Sequence, residues 1–143
     1  MFGMIMALVS GALMSVQGVF NTEVTKQSSI WAAAGFVQLT ALFTCVVAWY
    51  VTGKGDVAGM FQIEKKYMLL GGVIGAFITI TVIKSMDSLG PAKAVMIIVV
   101  SQLAVAYLIE LFGLFGVDKA EFEWKKALGM ALAIAGIVIF KWD

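Results

Sequence analysis

Six polar side chains interrupt otherwise apolar runs, and their types decide what chemistry the chain can do. Gln17 and Asn21 stand near the end of the first run and Gln38 near the middle of the second. The adjacent Ser101 and Gln102 lie in the middle of the fourth, with Glu110 towards its end. A primary amide has four hydrogen-bonding positions and cannot satisfy them on its own helix, so it should face a neighbouring helix or a wet cavity. Such groups recognise a partner rather than attack one. No histidine, no serine with a base beside it and no deep carboxylate pair accompanies them, so an enzyme is the weakest reading. Cys45 is the single cysteine, which excludes an intrachain disulfide and a multi-cysteine metal site. No cofactor is implied: Gly53, Lys54 and Gly55 lack the spacing of a phosphate-binding loop.

Spacing sharpens the first of these clusters. Ser10, Gln17 and Asn21, with Met14 between them, fall on one face of a helix. Two readings stand side by side: Gln17 and Asn21 cap the helix or bond a neighbour, or they line a site. Thr40 and Thr44 share a face of the second run, and threonines in membrane helices are expected to bond back to their own turn. Glu110 lies eight residues beyond Gln102, roughly 12 Å along a helix, which puts it near an interface rather than at mid-depth.

These residues need elements to hold them, and composition says which kind. Of 143 residues 62% are hydrophobic and 13% charged, with mean hydropathy +0.99. A soluble domain of this length could not hide that much apolar surface, whereas lipid-facing helices need not. The apolar runs are long and continuous rather than alternating, which argues against a transmembrane barrel. The fold class is therefore an all-α membrane protein, and residues 1–143 form a single domain of five transmembrane helices. The spans cover about 2–20, 30–51, 67–83, 91–112 and 124–140. The first lacks the basic flank and cleavage site of a signal peptide and is kept as a span. Residues 21–28 form the first loop, with Ser29 as N-cap of the second helix. Residues 52–66 are the longest hydrophilic connection, of which Val57 to Ile63 could rest on the membrane surface. KSMDSLGPAK carries the chain from the third span to the fourth, where Pro91 suits a first helical turn. Trp31, Trp49 and Tyr50 fit interfacial belts, although Trp31, Trp49 and Phe36 could also close a cavity, and Trp142 bounds the fifth span.

Glycine placement speaks to packing. Gly3, Ala7, Gly11 and Ser15 recur at four-residue steps, Gly71 pairs with Gly75, and Gly129, Ala133 and Gly136 form a stripe on the fifth span. Small residues at such intervals let helix backbones approach closely. The fifth span is short and finds few partners in one chain, so its stripe predicts contact with a second copy. Six lysines fall on the N-terminal side (54, 65, 66, 119, 125, 126) and four on the other (26, 84, 93, 141), so the positive-inside rule gives little preference for orientation. Insertion both ways, with antiparallel pairing about an in-plane axis, fits that balance. Net charge is +1, with no arginine, and nothing suggests a nucleic-acid surface.

The segments ALVSGALMSVQGVFN, LGPAKAVMIIVVSQLAVAYLIELFGLFG and KKALGMALAIAGIVIF resemble the short five-helix, YdcZ-type branch of the drug/metabolite transporter superfamily, over nearly the whole chain. The motifs that carry the likeness are Gln17-Gly18 with Asn21, Ser101-Gln102, Glu110 and the following FGLFG. The resemblance implies a five-helix unit doubled into ten helices around a central cavity with alternating access. The related small multidrug resistance exporters pair as antiparallel homodimers. They depend on a glutamate in the middle of the first helix. Here the first span has no acid inside the membrane, and only Glu23 and Glu110 could take that part. The expectation is a secondary transporter in a bacterial or archaeal cytoplasmic membrane that moves a small polar or amphipathic molecule. Its substrate would meet Gln17, Asn21, Gln38, Ser101, Gln102 and Glu110 at the interface of an antiparallel homodimer. The alternatives are a non-transporting scaffold or partner subunit, and a homodimeric channel.

Overall fold

The computed structural model describes residues 1–141, so Trp142, expected to bound the fifth span, lies outside the described residues. The chain is 84% helical and, among the described residues, has no strand. The described residues form five α-helices in order: α1 Phe2–Lys26, α2 Ile30–Val51, α3 Gly71–Leu89, α4 Pro91–Phe112 and α5 Trp124–Lys141. Short 3-10 turns occupy Ala58–Gln62, Lys66–Leu70 and Leu114–Gly116. Residue contacts divide the chain into one unit of Met1–Asp87 and a second from Ser88 onward.

In the first unit α1 packs along α2. The turn between them is shorter than expected, because α1 does not stop where its apolar run does. Residues 21–26, expected in a loop, are helical instead. From Thr22 onward the polar side chains are satisfied within the helix: Thr22 and Thr25 hydroxyls donate to the carbonyls of Gly18 and Asn21, both at 2.8 Å, and Lys26 pairs with Glu23 one turn back. Polarity here marks the edge of the membrane, not the end of the helix. Ser29 then caps α2 as anticipated, its Oγ accepting the Ala32 N–H at 3.1 Å. At the far end Gly53 (φ 106°) and Lys54 (φ 56°) take left-handed conformations that close α2.

The third helix is also shifted relative to expectation. A 3-10 turn over Lys66–Leu70 precedes the α-helix proper, which continues past Ile83 through KSMDSL to Leu89. Its buried face carries Ile80, Ile83 and Met86. Gly18 of α1 is buried, and a Cβ there would overlap the Met86 methyl and lie 3.2 Å from Val82 Cγ1. That close approach is what the small residue permits.

The second unit is built from α4 and α5. Gly90 (φ 80°) breaks the chain before α4, Pro91 starts it, and Gly113 ends it in a left-handed cap (φ 62°). Tyr107 is buried in α4, and its hydroxyl accepts the backbone N–H of Glu123 at 3.2 Å, just before α5. Lys126 lies over the Tyr107 ring, 5.8 Å from its centre, and pairs with Glu123 at 3.1 Å.

Among the described residues, four helices are long and apolar enough to cross a membrane: Phe2–Lys26, Ile30–Val51, Lys66–Leu89 and Pro91–Phe112. The fifth, α5, carries Lys125, Lys126 and Lys141, which leave Ala127–Phe140 as its apolar interior. That interior is roughly 21 Å long, against about 30 Å of hydrocarbon. Large apolar side chains are exposed along every helix, among them Leu8, Phe43, Phe77, Val99 and Ile139, as a lipid solvent allows.

Candidate functional site

The amide face of α1 lines a groove. Ser10, Met14, Gln17 and Asn21 form one wall and Val37, Thr40, Ala41 and Thr44 of α2 the other, around an open cavity of about 680 Å³. Leu13, Val16 and Phe20 complete an otherwise apolar lining. Among the described residues no charged side chain borders it. The groove can therefore grip a solute by apolar contact along its length and by hydrogen bonds at a few points, without a fixed countercharge.

The two walls hold their polar groups differently. On α2, the Thr40 hydroxyl donates to the carbonyls of Phe36 (3.1 Å) and Val37 (2.9 Å), and that of Thr44 to Thr40 (2.9 Å). Both are thus occupied by their own helix, as expected of membrane threonines. On α1, the Ser10 hydroxyl and the Gln17 and Asn21 amides make no hydrogen bond to another described residue. Gln17 is exposed, whereas Asn21 is only 8% exposed. No polar side-chain atom among the described residues is sealed from solvent without a partner, so the Asn21 amide retains an opening.

Gln38 does not line this groove. It is half-buried on another side of α2, and its Nε2 lies 3.3 Å from where a Cβ of Gly75 would be, so the small residue on α3 makes room for the amide. In the second unit Ser101 and Gln102 are both exposed on α4, and neither side chain hydrogen-bonds another described residue. The Glu110 side chain is exposed as well, while its backbone carbonyl accepts the N–H groups of Ala120 (2.9 Å) and Gly113 (3.3 Å). The structure thus brings Gln17 and Asn21 together, sets Gln38 against Gly75, and places Ser101, Gln102 and Glu110 on α4.

Sequence reasoning did not assign Val37, Thr40, Ala41 and Thr44 to the site. Their i, i+3, i+4, i+7 spacing was the available signal, hidden because every side of α2 is apolar. The tryptophans proposed as cavity closers do not border the groove; Trp49 donates its indole N–H to the Gly55 carbonyl at 2.8 Å, and Phe20 is the aromatic residue that lines the space. Among the described residues no three His, Cys, Asp or Glu side chains cluster to hold a metal.

Long apolar helices and a groove lined by apolar and uncharged polar side chains define a polytopic helical membrane protein. A sequence profile of the family described as "Putative inner membrane exporter, YdcZ" matches residues 2–139. The chain belongs to that family, and is a multi-pass transporter protein of the cytoplasmic membrane. No curated protein and no solved structure matches it.

Proposed function

We propose that the protein is a secondary exporter of a small polar or amphipathic molecule, working by alternating access as an antiparallel homodimer. The observation that carries this reading is the set of polar groups on α1 with no partner among the described residues, Ser10, Gln17 and Asn21, facing an open groove beside threonines bonded to their own helix. A polar group left without a partner in an apolar setting costs free energy, so the face is best explained by a solute or water that answers it. In the antiparallel pair, Gln38 on another side of α2, with Ser101 and Gln102 of α4, offers further polar groups at mid-depth. Glu110 of one subunit comes to the depth of Gln17, Asn21 and Glu23 of the other.

Helix α5 acts as the fifth span, with Lys125 and Lys126 at its start reaching to the interface. It supplies the dimer contact through Gly129, Ala133 and Gly136. Open space beside the Cβ positions of both glycines supports this, since no described residue of the single chain occupies it. Switching is a rocking of one subunit against the other.

The test is flux in reconstituted vesicles together with crosslinked assembly. Gln17→Leu and Gln102→Leu should each abolish most flux while leaving the dimer intact. Unchanged flux in both would remove the transport site proposed here, and a flux that fails to saturate with substrate would indicate a channel. A C-terminal tag accessible from only one side of the membrane would remove the antiparallel arrangement.

A further inference from the structure

We infer that the connection between α2 and α3 is a membrane-surface anchor that binds the anionic phospholipids of one leaflet. It joins two successive spans, Ile30–Val51 and Lys66–Leu89, so both of its ends are held at the same membrane face. The way it leaves α2 is well defined. Left-handed Gly53 and Lys54 reverse the chain, the Trp49 indole N–H donates to the Gly55 carbonyl at 2.8 Å, and Lys54 Nζ sits 4.4 Å from the centre of the Tyr50 ring.

Beyond this turn the connection is apolar and uncovered. Val57, Met60 and Ile63 recur at three-residue steps, the repeat of the 3-10 turn over Ala58–Gln62 that they bracket, and so share one edge. They are 51%, 51% and 37% exposed, and the adjacent Phe61 is 63% exposed. An edge of this kind, set at the depth where the two spans emerge, gains by entering the boundary between headgroups and acyl chains.

Charge selects the kind of lipid. Lys54 precedes the apolar edge and Lys65 and Lys66 come after it, all three exposed. Two acids stand in the segment, Asp56, whose Oδ1 accepts the Ala58 N–H at 2.8 Å, and Glu64, so the three lysines leave it with a net positive charge of one. Basic residues flanking an interfacial apolar segment enrich anionic headgroups around it. The anchor lies apart from the α1–α2 groove and stands whether or not that groove carries a substrate.

The test uses the full chain in vesicles, with Cys45→Ser removing the native thiol and Phe61→Cys carrying an environment-sensitive fluorophore. Vesicles are phosphatidylcholine alone or with phosphatidylglycerol at about three parts to one. The label should be quenched by a nitroxide placed shallow in the acyl chains and shielded from aqueous iodide, unlike a label at Glu121→Cys. A nitroxide on the phosphatidylglycerol headgroup should quench it too, and K65Q and K66Q should each reduce that enrichment roughly fivefold. Iodide quenching equal to the Glu121→Cys reference overturns the anchor, as does a label shielded from both lipid and iodide. Headgroup quenching that ignores both lysine changes overturns the choice of anionic lipid.

Discussion

Gly18 and the pair Gly129 and Gly136 look alike as sequence, each a small residue in an apolar helix, yet the structure treats them in opposite ways. Gly18 is buried against Met86 and Val82, and a Cβ there would displace the flexible end of the Met86 side chain. Gly129 and Gly136 of α5, like Gly3 and Gly11 of α1, have open space where a side chain would go. One glycine completes a contact inside the chain, and the others leave a surface unclaimed. A small residue in a membrane helix therefore records that close approach is allowed, and only the fold says whether the chain itself makes use of it.

The largest expected effect breaks the contact that is made. Gly18→Leu must push Met86 and Val82 aside, which should destabilise the first unit by about 1–3 kcal/mol, the usual cost of overpacking a filled site. Gly11→Leu should leave stability nearly unchanged, and thermal unfolding in detergent compares the two. If both lose stability equally, the contrast drawn from the open and filled positions is wrong.

Substitution at the unclaimed surface should separate folding from assembly. Gly129→Leu and Gly136→Leu should leave helix content and monomer stability intact while reducing crosslinked dimer, by about tenfold if close backbone approach contributes roughly 1.4 kcal/mol. Retention of full dimer by the double variant would move the interface away from α5.

Within the groove, the comparison is between free and occupied polar groups. Asn21→Leu should lower flux about three- to tenfold, the equivalent of a hydrogen bond of roughly 0.5–1.5 kcal/mol. Thr40→Val should be nearly silent, because that hydroxyl is spent on Phe36 and Val37. Initial-rate flux assays read the difference, and a Thr40→Val effect as large as that of Asn21→Leu would end the distinction between the walls. The smallest change concerns the second unit. Tyr107→Phe removes the acceptor for the Glu123 N–H and should cost about 1 kcal/mol of stability without altering flux, which paired melting and transport measurements would show.

Much of the helix layout is legible in the sequence. The bounds of α2 and α4 match the expected 30–51 and 91–112, because Ser29, Gly53, Pro91 and Gly113 are local signals whose conformational preferences act within a turn. The misplaced boundaries share one cause. Apolarity is a poor measure of helix length in α1 and α3: in α1, Thr22, Thr25, Glu23 and Lys26 satisfy their polar groups within the helix and let it run on into the interface.

The site is half legible. Ser10, Gln17 and Asn21 share a face by helical geometry alone, and the structure turns that face into the groove. Gln38 is expected alongside them, but it lies two residues from Thr40, roughly 200° around the helix, so both cannot look into one groove. Thr40 faces the groove and Gln38 meets Gly75.

By itself, then, the sequence determined that the chain crosses a membrane as helices, where its helices break, and which polar residues stand together on each. Only the tertiary structure decided which face of a helix meets its neighbour within each unit and which is left uncovered. The physical reason is the solvent. In water a helix declares its buried side by being apolar there, but lipid and protein interior are equally apolar, so composition around the helix carries almost no directional information.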